Sequence, residues 1–175
     1  FAGMCLARLA LAHIAQGDTA GAAAVLDDRL LQGTRQQMFV EIDVTLARIA
    51  LALAQGDAAG GLAQADDAVA RLEESNGIIW LPQVLDARAA ALLALGRPAE
   101  AGQALASAVA LARAAGARAA LWRHLAGLAA VQEQLGDSAG AGTRREAEAE
   151  LRYVLENTWP DDLRQSLLRA AGQLN

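Results

Sequence analysis

Fifteen arginines and no lysine against 20 acidic residues give this 175-residue chain a net charge of −5 and a pI near 5.0. That balance excludes the broad basic face of a nucleic-acid binder, and the missing lysine excludes a phosphate-binding P-loop. One cysteine excludes an internal disulfide, and alanine at about a quarter of the residues, with 3% aromatics, points to an all-α fold.

The helices are expected in pairs. The first pair covers about residues 2–16 and 19–31, joined by Gly17-Asp18-Thr19-Ala20-Gly21. The second covers about 38–55 and 58–74 around Gly56-Asp57-Ala58-Ala59-Gly60, and the third about 79–95 and 98–114 around Gly96-Arg97-Pro98-Ala99-Glu100. The fourth covers about 118–135 and 138–156 around Gly136-Asp137-Ser138-Ala139-Gly140. A period of about 40 residues marks stacked supersecondary units. In each turn glycine takes the left-handed conformation that ends a helix, and aspartate, or proline at a first helical position, starts the next. The breakers Gln32-Gly33-Thr34, Ser75-Asn76-Gly77 and Ala115-Gly116-Ala117 separate the pairs. After Asn157-Thr158-Trp159-Pro160 a last helix, about 161–173, carries Leu163, Leu167, Leu168 and Leu174 as an inward stripe to cap the stack, with Trp159 at the junction.

The register extends beyond the turn. Alanine stands three residues after each glycine (Ala20, Ala59, Ala99, Ala139), and a small residue stands five after it (Ala22, Gly61, Ala101, Ala141). Small groups at fixed places let paired helices approach closely. Leu6, Leu9 and His13 in the first unit, and Leu121, Leu125 and Leu128 in the fourth, form the facing stripe.

This hairpin pattern, a Gly-Asp turn followed by a small residue five positions on, resembles tetratricopeptide repeats. The phrases Leu95-Gly96-Arg97-Pro98-Ala99-Glu100-Ala101 and Leu111-Ala112-Arg113-Ala114-Ala115-Gly116-Ala117 are similar to the C-terminal arrays of multidomain signalling and transcription regulators. Those regulators are cyclase-like or of LuxR or SARP type, with an upstream signal-transduction ATPase module. Residues 154–168 resemble the segment that closes such arrays.

The resemblance implies one repeat domain over residues 1–175, a right-handed α-α superhelix of about four hairpins with a C-terminal capping helix. It implies a cytoplasmic, non-catalytic module without cofactor, forming the C-terminal part of a longer protein. Such a module docks a peptide, a partner protein or its own upstream domains, without direct nucleic-acid or membrane contact. On the family register, first helices line a concave groove carrying Leu11, Ile14, Leu46, Ala50, Leu53, Asp86, Ala90, Leu93 and Glu133. An apolar groove of this kind suits an amphipathic helix or hydrophobic segment better than an acidic peptide tail. Arg48 and Arg88, eight residues before Gly56 and Gly96, depart from the pattern, which usually has a large apolar residue there. Either they lie between helices and need acceptors, or they face the groove and hold an anionic group. The alternative function is a sensor that binds a small-molecule inducer inside the superhelix.

Enzyme-like signals have plainer readings. Gly136-Asp137-Ser138-Ala139-Gly140 fits G-x-S-x-G, but a nucleophile elbow needs a preceding strand and a later histidine, and His13 and His124 come earlier. Two histidines on different repeats and one cysteine do not make a metal site. Asp67 with Arg71, and Arg144 with Glu148 and Arg152, are helical ion ladders. Arg113, Arg118, Arg123, Arg144 and Arg145 form a local basic excess, for an acidic partner or as surface charge. Trp80, Trp122, Trp159 and Tyr153 either plug the seams and end of a small-residue stack or form a binding hot spot, and for Trp159 the plug is the expected role.

Overall fold

A computed structural model describes residues 2–27, 38–158 and 161–172. Among them the chain forms nine α-helices and no strand. These are α1 (Ala2–Ala15), α2 (Thr19–Leu26), α3 (Met38–Ala54), α4 (Ala58–Glu74), α5 (Leu81–Ala94), α6 (Pro98–Ala114), α7 (Arg118–Gln134), α8 (Gly140–Glu156) and α9 (Asp161–Gly172). A 3₁₀ turn, Ile78–Trp80, leads into α5. The expected end of the first hairpin, the Gln32-Gly33-Thr34 breaker, Trp159, Pro160 and Leu174 lie outside the described residues.

Helices stop where a residue can take positive φ. Gly17, Gly56, Gly96 and Gly136 lie between +70° and +81°. At the first turn the Gly17 N–H donates to the Ile14 carbonyl and the Asp18 N–H to the His13 carbonyl, both at 2.9 Å. This pair of bonds satisfies carbonyls that a helix end leaves orphaned. The same pair closes α3, α5 and α7, and also α4 at Asn76 and α6 at Gly116. The breakers after α4 and α6 are therefore the same helix-ending device as the turns, with Asn76 (φ +55°) in the glycine role.

Helix starts vary more. The Oδ1 atoms of Asp18 and Asp57 accept the N–H groups of Gly21 and Gly60 at 2.8 Å, three residues on. Asp137 Oδ1 instead accepts the Ala139 N–H at 2.9 Å, only two residues on, and α8 begins at Gly140 rather than Ser138. Burial follows that shift. Ala22, Gly61 and Ala101 are buried five residues after their glycines, whereas in the fourth hairpin Gly140 is buried and Ala141 exposed. The alanines at the third position are all exposed, so they favour helix formation without making the helix contact.

The chain divides into two compact units, Phe1–Arg97 and Pro98–Asn175. In the first, α3 packs on α1, α2, α4 and α5. Ala7, Ala10, Ala22, Leu26, Val44 and Ala47 form a core cluster, with Leu6, Leu11 and Ile14 packed against it. Leu9 is 47% exposed, so of the expected Leu6, Leu9, His13 stripe Leu6 packs against the core while Leu9 does not. In the second unit α7 packs on α6 and α8, and Leu121 and Leu125 join Val109, Ala112 and Ala147 with Leu128 against them. Trp122 is buried there, while Tyr153 is exposed beneath the Arg118 guanidinium, 3.5 Å from the ring centroid. On α9, Leu163 and Leu168 remain 53% and 45% exposed rather than turning inward. That helix is tied back by Arg164, whose guanidinium donates to the carbonyls of Leu155 in the last turn of α8 (3.1 Å) and of Thr158 just beyond it (3.2 Å).

Candidate docking stripe

Positions counted back from each turn glycine bring the groove residues into register. Three before stand Ile14, Leu53, Leu93 and Glu133, six before stand Leu11, Ala50 and Ala90, and ten before stand Leu46 and Asp86. Leu46, Ala50 and Leu53 follow i, i+4, i+7 and share one face of α3, as Asp86, Ala90 and Leu93 do on α5. In the first unit α3 neighbours both α1 and α5, so the three first helices succeed one another. Leu11, Ile14, Leu46, Ala50, Leu53 and Asp86 are half-buried, and Ala90 and Leu93 are exposed. The result is an apolar stripe neither sealed in the core nor fully solvated.

Arg48 and Arg88 do not belong to it. Each stands two residues after a stripe member, about 200° round the helix at roughly 100° per residue. Arg88 Nε donates to Asp66 Oδ1 at 2.6 Å, an acceptor on the second helix α4. Arg48 is exposed and forms no ion pair among the described residues. Its equivalent acceptor is Asp27, ten after Gly17 as Asp66 is ten after Gly56, but α2 ends at Leu26 with Asp27 as its C-cap.

Glu133 lies in the second unit, on α7. Both its carboxylate oxygens accept from the Arg144 guanidinium, at 2.8 and 2.6 Å, and this bond holds its carboxyl below the usual range. The local basic excess is paired in the same way. Arg113 bonds Glu146 at 2.5 Å, and Arg118 grips both oxygens of Glu150 at 2.7 and 3.1 Å, leaving Arg123 and Arg145 exposed.

Sequence reading passed over several buried polar groups. Gln83 Oε1 on α5, and Trp122 Nε1 and Gln132 Oε1 on α7, are buried without a hydrogen-bond partner among the described residues. His124 is buried at the register position that Val44 and Val84 occupy in earlier hairpins, and Gln132 stands where Leu92 does. Comparing repeats position by position is the signal that finds them. Trp122 and Gln132 are ten residues apart, roughly 80° round α7, so their polar atoms leave the helix in different directions.

Ser138 is exposed on a turn that follows helix α7, without the strand a nucleophile elbow requires. Among the described residues no group of three His, Cys, Asp or Glu side chains could hold a metal ion, and no helix is long and apolar enough to cross a membrane. Comparison with known protein families, curated proteins and solved structures returns no match.

Proposed function

We propose that this chain is a non-catalytic, tetratricopeptide-like docking module of a larger signalling or transcription regulator. Its hairpins continue as a right-handed superhelix, and its first-helix stripe receives an amphipathic helix from a partner protein or from the parent protein's own upstream domains. One observation carries the reading: apolar side chains recur at the same turn-relative positions on α1, α3 and α5, half-buried on α1 and α3 and exposed on α5, where Asp86 is the one charged member. Covering such side chains returns roughly 25 cal/mol for each Å² of apolar surface removed from water. With Arg48 and Arg88 directed away, Asp86 is the one charged side chain on the first-unit stripe, which is read mainly by apolar shape. An inducer-binding pocket has less support, because the unpartnered polar atoms on α7 do not converge as ligand-holding groups do.

The test is isothermal titration of the chain with upstream segments of its parent protein. Binding should show a negative heat-capacity change and little salt dependence. Leu46→Asp and Leu93→Asp should each weaken it about tenfold or more while leaving the circular dichroism spectrum intact. Binding that ignores both substitutions overturns the proposal, and no upstream segment that binds overturns its intramolecular form.

A further inference from the structure

The first glycine turn differs from the other three at one chemical point. Four residues before its glycine stands His13, where the later turns have Ala52, Leu92 and Gln132. The His13 carbonyl accepts the Asp18 N–H at 2.9 Å, and its ring Nδ1 lies 2.8 Å from Asp18 Oδ2. The other carboxylate oxygen, Oδ1, accepts the Gly21 N–H at 2.8 Å. One carboxylate thus ties the last turn of α1 to the first turn of α2. Glycine at position 21 leaves the room for it, since a Cβ there would stand 2.2 Å from Asp18 Oδ2 and 2.7 Å from His13 Nδ1. Among the described residues α2 has eight, with Ala22 and Leu26 in the core cluster and Val25 packed against it. Helices of that length do not hold by themselves in water.

We propose that this turn is a proton-dependent clasp: protonated His13 holds α2 against the end of α1 through Asp18, and loss of the proton loosens α2. Among the described residues the surrounding charges are otherwise engaged or turned to solvent. On α3, Glu41 bonds Arg71, Asp43 pairs with Arg8 of α1 at 3.5 Å, and Arg48 is exposed. On α2 the described charge beyond its N-cap is the exposed C-cap Asp27, and the charged residues within 28–37 lie outside the described residues. Asp18 stays ionised throughout the histidine range, because the Gly21 N–H first and the His13 ring second hold its carboxyl below the usual value. The charge pair is therefore present at low pH and lost as the pH rises through that range. A neutral imidazole can still donate through Nδ1, so the turn loosens without opening outright.

Amide hydrogen exchange on the full chain at about pH 5.5 and about pH 8, each rate divided by its intrinsic value, tests the clasp. Protection of amides 21–25 should fall about two- to fivefold between the two conditions, while amides 60–64 behind Asp57 serve as an unchanged reference. His13→Gln and Asp18→Asn should both abolish the difference, and asparagine keeps the cap itself. Three outcomes overturn the proposal: no fall in the native chain, an equal fall in the reference segment, or a fall that survives in either variant.

Discussion

Two buried glycines at the second helices answer differently to the same added methyl group. Gly61 lies inside α4 and faces α3, where a Cβ would meet Leu53 Cδ2 at 3.5 Å, Leu53 Cγ at 3.6 Å and Ala52 Cβ at 3.7 Å. Those are ordinary van der Waals distances. Gly61→Ala therefore gains about 1 kcal/mol of helix propensity and part of the ~0.8 kcal/mol for burying one carbon, or about 1–1.5 kcal/mol together. The repeat supports this, since Ala22 and Ala101 hold the same register position and are fully buried. At Gly140 a Cβ would stand 2.8 Å from Glu133 Cγ and 3.1 Å from the Glu133 backbone nitrogen. The side chain can swing aside, but the backbone of α7 can yield only by parting from α8. Gly140→Ala is expected to destabilise by about 1–3 kcal/mol, as overpacked cores do. At 2–4 °C per kcal/mol for a chain of this size, the melting temperature should rise by roughly 2–6 °C in the first variant and fall by roughly 2–12 °C in the second. Circular dichroism through thermal and urea unfolding, with amide exchange reporting each unit separately, measures both. A destabilised Gly61→Ala chain would mean that α3 and α4 tolerate no methyl between them, and a Gly140→Ala chain of native stability would mean that α7 and α8 separate freely. Either result refutes the reasoning.

The carboxyl of Glu133, held low first by its hydrogen bond from Arg144, should return toward the ordinary value near 4.5 in Arg144→Gln, followed by carboxyl carbon NMR. Because the folded-state value is depressed, the pair stabilises the fold above the unfolded value, and that contribution disappears as the pH falls through the folded one, so only the acid limb of unfolding should move. An unmoved Glu133 titration would show that the bidentate pair does not persist in solution. Leu163→Ser and Leu168→Ser should each change the melting temperature by no more than about 2 °C, because both side chains are already exposed in the intact chain. A large loss of stability would show that those leucines are covered in solution.

The turns are legible because each is a local device. A positive φ asks for glycine, an orphaned N–H asks for aspartate, and both requirements lie within five residues. Burial is less legible in a chain so rich in alanine. Ala20 and Ala22 are the same residue two places apart, one exposed and one buried, and helix propensity favours both equally. The fourth hairpin slipped its expected register because Asp137 caps two residues on while Asp18 and Asp57 cap three on, although all three follow glycine. Likewise, the stripe expected from Leu6, Leu9 and His13 assumes that the largest apolar groups make the helix contact. Close helix approach places Ala7 and Ala10 at the contact beside Leu6 and leaves Leu9 in solvent.

The two arginines mark where a repeat register stops being informative. Arg48 and Arg88 stand at one position by count, so they leave their helices in the same sense. What each meets depends on the hairpin before it, and that partner is some 20 residues away in sequence. Asp66 lies within a 17-residue α4 and reaches Arg88, whereas α2 ends one residue short of the equivalent Asp27. Charge follows the same logic through both units: Arg71 pairs with Glu41, Arg113 with Glu146, Arg118 with Glu150 and Arg144 with Glu133. These exposed pairs add little stability one by one. Their consequence for recognition is larger, because a cation already facing a carboxylate presents a weak field to an approaching partner. On the docking reading proposed above, that leaves mainly apolar side chains, with Asp86, along the stripe, and selectivity would then rest on the spacing of apolar side chains along the incoming helix.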